Sequence, residues 1–118
     1  MDEKGNKDWI EKEIDQLKSN VTRVLILIII RDSKNSEPIH GYGLSEKIVT
    51  LSYGNIDVTN ATFYAILRQL KNDKFIEQYE LPDDVRKYYK LTESGEEGLK
   101  RLLNYWDKYY DFIKTLMW

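Results

Sequence analysis

Cysteine is absent from this chain of 118 residues. That excludes disulfides, thiolate zinc sites, iron–sulfur clusters and a cysteine nucleophile. Histidine occurs once, at His40, which rules out a His-rich metal cage and leaves a Ser-His-Asp triad a single candidate base. Phosphate loop, nucleophile elbow and metal-ligand spacing are all missing, so neither an enzyme nor a metal or organic cofactor is expected. The longest apolar run, Val24 to Ile30, is seven residues, against about 20 for a membrane-spanning helix. The acidic opening MDEKGNKDWIEKEID has no apolar core and does not read as a signal peptide. A cytoplasmic protein without a membrane partner is expected.

A basic surplus is missing too. Lysine and arginine number 18 against 20 acidic residues, for a net charge of −2, which weighs against a strongly basic nucleic-acid binder. The charge is unevenly spread. Residues 20–75 carry seven positive and five negative groups, while residues 1–19 and 76–118 are each acidic by two. What is present, 42% hydrophobic and 32% charged residues, suits one ordered domain rather than a disordered chain.

Apolar residues at Ile10, Ile14, Leu17, Val21, Val24, Leu25 and Ile28 recur in helical steps of three and four. The β-branched run Val24–Ile30 alone has a strand's composition, but the continuing period makes it a helix buried on several sides, with Ser19-Asn20 as a candidate break. DSKNSEP over 32–38 is a polar loop. A short helix is expected from Tyr42 to Leu51, a very short strand at Ile56–Val58, and a helix capped by Thr59 or Asn60 that runs to Asp73. Strands over Phe75–Glu80 and Arg86–Leu91 flank a turn at Pro82-Asp-Asp84, and Thr92 caps a last long helix. The order helix, helix, helix, hairpin, helix is that of a winged helix-turn-helix: mainly α with a small β-hairpin, followed by a long C-terminal dimerisation helix. The expected division is an N-terminal helical extension over 1–19, a winged-helix unit over 20–92 and the C-terminal helix over 93–118.

Three pieces, Ile39-His-Gly-Tyr42, Ala61-Thr-Phe-Tyr-Ala-Ile-Leu-Arg-Gln-Leu70 and Arg86-Lys-Tyr-Tyr-Lys-Leu-Thr-Glu-Ser-Gly95, together resemble the signatures of PadR-type transcriptional regulators over about residues 20–100. Ala61 stands where that family often has glycine, Ala65 where it often has proline, and Gly43 where it often has an acidic residue. The wing tip LPDDV is acidic rather than rich in glycine and basic residues. The resemblance implies a dimeric transcription regulator, a repressor bound to a pseudo-palindromic operator and associated with the nucleoid. It also implies that Tyr42 and Tyr64 lie near the DNA backbone. Two other readings stand beside it. One is a partition or architectural adaptor that spreads on DNA and recruits a protein partner through its acidic first helix. The other is a regulator that senses a small aromatic effector at its dimer interface.

Taken alone, the third helix could equally be a solvated face of good helix formers; with the hairpin and the resemblance its residues point to double-stranded DNA. On the third helix Phe63, Ile66, Leu67 and Leu70 face inward, while Ala61, Ala65, Arg68 and Asn72 face outward. Tyr64 and Thr62 flank that outward side, with Gln69 nearby. Small residues let a helix backbone approach a major groove. Arg68 suits guanine, and Asn60, Asn72 or Gln69 suits adenine. The helix start at Thr59 and Asn60 favours a phosphate. Arg86 and Lys87 are the wing's candidate phosphate contacts. His40 is expected to serve a turn hydrogen bond, and Gly41 a backbone shape closed to other residues. On the last helix Leu99, Leu102, Leu103, Trp106, Tyr109, Tyr110, Ile113, Leu116 and Met117 form one stripe. Its length overhangs a compact domain, so a second copy is the expected cover, and Trp106, Tyr109 and Tyr110 are the candidate effector-pocket residues.

Overall fold

The computed structural model describes residues 3–117. Met1, Asp2 and Trp118, the tips of the expected extension and last helix, lie outside the described residues. In chain order the elements are α1 (Glu3–Ser33), β1 (Ile39–His40), α2 (Gly41–Leu51), α3 (Asn60–Asn72), β2 (Ile76–Tyr79), β3 (Tyr88–Leu91) and α4 (Glu93–Met117). This is a winged helix-turn-helix with a long C-terminal helix.

The helical period of the first segment prevails over its β-branched composition. Val24, Ile26, Leu27, Ile29 and Ile30 are all buried, because α2, β3 and α4 each pack against α1. A helix apolar all round is stable only when surrounded in this way. Ser19-Asn20 does not break it, and the reason is local. The fully buried Thr22 returns its hydroxyl to the Lys18 carbonyl at 2.7 Å, and Gln16 donates to the Asn20 side chain at 3.1 Å. Both bonds span one helical turn, so α1 runs unbroken through the expected boundary at 19/20.

The third strand arises in an unexpected place. Ile56–Val58 forms no strand; Ile56 is buried and its amide is taken by the Ser52 hydroxyl at 3.0 Å. Ile39–His40 instead pairs antiparallel with β3, Ile39 opposite Tyr89 and His40 opposite Tyr88. The sheet order is β1-β3-β2. Two residues are too few for strand alternation to register in a sequence. The hairpin strands are also shorter than Phe75–Glu80 and Arg86–Leu91, because the residues near the tip are held by side chains rather than by the ladder.

Thr59 is the cap of α3, its hydroxyl accepting from the Thr62 amide at 3.2 Å. Phe63, Ile66, Leu67 and Leu70 fill the core beneath it. Burying a ring such as Phe63 stabilises the fold by roughly 2–3 kcal/mol. Thr92 starts α4 as expected. Its hydroxyl accepts from the Gly95 amide at 2.9 Å and donates to the Lys74 carbonyl at 2.6 Å.

Two helices outrun this core. At 1.5 Å per residue α1 is roughly 46 Å long and α4 roughly 37 Å, and the molecule extends 58 Å along its longest axis. The radius of gyration is 16.4 Å, whereas a compact chain of this length has about 13.5 Å. The accessible surface, 9112 Å², exceeds the roughly 6,700 Å² of a compact monomer of this mass. Much of the excess is apolar. Ile10, Ile14 and Leu17 stand open on α1, and Leu102, Trp106, Tyr109, Ile113 and Leu116 on α4. The stripe expected from Leu99 starts later than Leu99: this residue is buried in the protomer's own core and Leu103 packs beside it, so the open face begins at Leu102. Tyr105 and Phe112, also exposed, widen it.

Candidate nucleic-acid interface

The outward side of α3 and the adjoining face of β3 enclose two linked concavities. One, of about 440 Å³, is lined by His40, Gly41, Tyr42, Tyr64, Arg86, Lys87 and Tyr89. The other, of about 160 Å³, is lined by Tyr64, Leu67, Arg68, Lys71, Gln78 and Tyr89. Tyr64 and Tyr89 form the wall they share. Four cations and no carboxylate line the pair. Two of the four are already paired behind the face, Arg86 with Asp84 and Lys87 with Glu80; other acidic groups lie further off, with Glu93, Glu96 and Glu97 at the start of α4 and Asp32, Glu37 and Glu46 on the side of the 36–39 loop. A chain of net negative charge thereby presents one locally positive face, which is what counterion release requires.

The turn into α2 positions this face. His40 caps the helix, its Nδ1 accepting from the Gly43 amide at 3.2 Å. That is the expected turn bond. Gly41 differs from expectation: among the described residues only Gly54 of the glycines has a positive φ. What sets Gly41 apart is a close approach: a β-carbon there would lie 3.1 Å from the Tyr64 ring and hydroxyl, so that the ring would have to give by a few tenths of an ångström. Tyr64 therefore nests against the start of α2. Tyr42 stands beside it, exposed.

The expected contact residues separate into free and engaged groups. Asn60, Ala61, Thr62, Arg68 and Asn72 are exposed on α3, and Arg68 enters no ion pair among the described residues. Lys71, absent from the sequence-based set, is likewise exposed and unpaired there. It lies one turn from Leu67 and Arg68 on the wing side, a position that the helical wheel could have supplied. Gln69 is turned the other way, accepting from Arg23 of α1 at 3.1 Å. The Thr59 hydroxyl is occupied by its cap. On the wing, Lys87 pairs with Glu80 across the hairpin.

Arg86 is held most firmly. The Asp84 carboxylate accepts from its backbone amide at 2.9 Å, from Nε at 3.1 Å, from Nη2 at 2.8 Å, and also from the Tyr88 hydroxyl at 2.6 Å. Asp84 therefore faces inward onto its own wing, and of the two acidic residues at the tip only Asp83 is left open to solvent. The Arg86 side-chain bonds, then Tyr88, then the Arg86 amide hold the Asp84 carboxyl well below the usual carboxylate range. A carboxyl lowered on folding adds stability that is fully present above its unfolded value, about 3.9, and is lost progressively as pH falls from there through the lower folded value. The Asp84 carboxyl carbon is accordingly expected to keep its ionised NMR shift in the folded protein from pH 7 to pH 3. A midpoint near 4 means that the clasp does not form.

The fold and this cationic face define a winged-helix protein built like a nucleic-acid-binding module. The chain belongs to the transcriptional regulator PadR-like family, whose profile matches residues 26–101. It is similar to the crystal structure of a PadR-like transcriptional regulator from Bacillus cereus, with 26% identity, a TM-score of 0.71, and coverage of 86% of this chain and 96% of that one. A protein of Streptococcus mutans is 29% identical, with a TM-score of 0.69 and coverage of 83% and 87%. A PadR-like transcription factor from Bacteroides fragilis is 26% identical, with a TM-score of 0.65 and coverage of 89% and 98%. Among the described residues no helix is long and apolar enough to cross a membrane.

Proposed function

We propose that the protein is a homodimeric DNA-binding repressor that occupies a pseudo-palindromic operator. The observation that carries this reading is the face joining α3 to β3, with Arg68 and Lys71 exposed upon it and in no ion pair among the described residues. α3 enters the major groove with Ala61 and Ala65 closest to the bases. Arg68 meets a guanine edge, and Asn60 and Asn72 are placed for adenine. Tyr42 and Tyr64 meet backbone phosphates. Arg86 serves the wing mainly as a strut, because its guanidinium is already bound by Asp84.

The second copy covers the open stripe of α4 together with the exposed start of α1. The roughly 2,400 Å² by which the single chain exceeds a compact monomer is ample against the ~800 Å² per partner of a stable interface. Two copies related by a twofold axis set two α3 helices about one helical turn apart on the duplex. Trp106, Tyr109 and Tyr110 lie within that seam, where a flat aromatic effector that parts the helices alters the spacing. Tryptophan fluorescence during titration with a planar dye tests this regulatory reading.

Selection of bound sequences from a random duplex pool, followed by band-shift titration, tests the main reading. One bounded, twofold-related site is expected. Protection that spreads with concentration favours the adaptor instead, and no saturable binding at low salt removes the reading. Arg68→Ala is expected to lower discrimination at one base pair per half-site by about 1–3 kcal/mol. Lys71→Ala is expected to weaken all duplexes alike and to make the salt slope shallower by about one. Identical behaviour of the two variants removes the assignment of roles.

A further inference from the structure

Tyr88 and Tyr89 are neighbours on the central strand, both buried, yet only one uses its hydroxyl. Tyr88 donates to Asp84 at 2.6 Å. Tyr89 is 8% exposed, and its hydroxyl has no hydrogen-bond partner among the described residues. No polar side-chain atom among them is both fully enclosed and unsatisfied, so this hydroxyl opens outward. It does so beside Tyr64 and Lys87, the two charged or titrating groups that act on it. Burial, reinforced by Tyr64 and opposed by Lys87, pushes the phenol above its ordinary value. The group therefore stays an O–H donor at neutral pH, recessed in the wall between two concavities that have no carboxylate to receive it.

We infer that the Tyr89 hydroxyl, at the seam between α3 and β3, donates to a backbone phosphodiester of bound DNA and so fixes the angle between the recognition helix and the wing. The inference rests on the DNA-binding reading above and adds to it a neutral contact that the charge pattern does not reveal. Three observations favour a phosphodiester over other ligands. The hydroxyl lacks an acceptor, and a phosphate is acceptor-only. Lys87, just ahead of β3 and paired with Glu80, lies on one side of it and Lys71 of α3 lines the concavity on the other, rather than both converging on one point as a small free anion requires. The third is position: Tyr64 and Tyr89 line the same concavities at the flank of α3, so with α3 in the groove as proposed above Tyr89 comes nearer the groove's wall, where phosphates run, than the base edges.

The test is a fluorescence-anisotropy titration of the selected operator and of an unrelated duplex, at several salt concentrations, with the full chain and its Tyr89→Phe and Lys71→Ala variants. Tyr89→Phe is expected to weaken both duplexes about tenfold, as loss of a hydrogen bond to a charged group does. The salt slope is expected to stay unchanged, because no counterion-releasing charge is removed. Lys71→Ala flattens that slope and serves as the contrast. Thermal melting of Tyr89→Phe is expected to match the wild type, since the hydroxyl has no internal partner. Wild-type affinity in Tyr89→Phe overturns the inference and leaves the DNA-binding reading standing. A flattened slope overturns it as well, since the phenol then acts by holding a lysine. So does competition by inorganic phosphate at constant ionic strength against the wild type and not the variant, which assigns the hydroxyl to a free anion. A wild type that binds neither duplex removes the DNA-binding reading itself.

Discussion

Replacing both Tyr109 and Ile113 with glutamate is expected to convert the proposed dimer to a 14 kDa monomer and to weaken binding to the proposed operator by about a hundredfold or more. Both residues lie on the open stripe of α4, 57% and 55% exposed in the single chain. They contribute nothing to the protomer core, which ends near Leu103. Glutamate is a good helix former, so α4 keeps its shape. In the dimer, however, a twofold axis gathers four carboxylates into a seam otherwise built of Trp, Tyr, Leu and Met, where unpaired charge is strongly unfavourable. The loss in DNA affinity follows from geometry. Two linked heads bind with a second step at high effective concentration, worth 10²–10⁴ in affinity, and separate heads lose it. Sedimentation and a band-shift on the same samples check both halves. A variant that remains dimeric places the interface elsewhere. A monomer with undiminished operator affinity shows that one head suffices and removes the paired-head arrangement.

The features legible in the sequence were those repeated over many residues. Steps of three and four from Ile10 to Ile28 set α1, and the inward set Phe63, Ile66, Leu67 and Leu70 set α3. Thr59 and Thr92, each ahead of a periodic stretch, are the caps in place. What stayed hidden depended on one or two residues meeting a distant partner. β1 has only Ile39 and His40, and no periodicity exists over two positions. The clasp of Asp84 on Arg86 and Tyr88 needs the hairpin to be closed before its donors converge, and the contact of Gln69 with Arg23 spans 46 residues. Alternation does place Lys87 and Tyr89 on one face of the wing, but it carries no information on which hydroxyl finds an internal acceptor. The outward face of α3 was readable as a set of residues; the helical wheel also offers Lys71 on its flank, but not that this flank is the one beside β3.

The joint between α4 and the hairpin concentrates a second large effect at a single glycine. Thr92 binds the end of the α3–β2 connection twice, its amide donating to the Phe75 carbonyl at 3.1 Å and its hydroxyl to the Lys74 carbonyl at 2.6 Å. This draws the first turn of α4 onto the backbone at Phe75, and a β-carbon at Gly95 then falls 1.9 Å from the Phe75 carbonyl oxygen. That is far inside contact distance, and the obstacle is backbone, which cannot rotate away. Gly95→Ala is expected to destabilise the protein by about 3 kcal/mol, the upper part of the range for overpacking, and to lower the melting temperature by roughly 12 °C. Gly98 provides the control, three residues on in the same helix. A β-carbon there meets only the edge of the Phe75 ring at 3.6 Å, an ordinary contact. Alanine at Gly98 is expected to stabilise by about 0.5–1 kcal/mol through helix propensity alone. The opposite signs are the diagnostic, since both changes add one methyl to α4 and remove one glycine. Both are read by urea denaturation at matched protein concentration, because the proposed dimerisation would make stability concentration-dependent. If Gly95→Ala gains stability as Gly98→Ala does, α4 is not seated on Phe75, and the direction in which its open stripe leaves the core has to be redrawn.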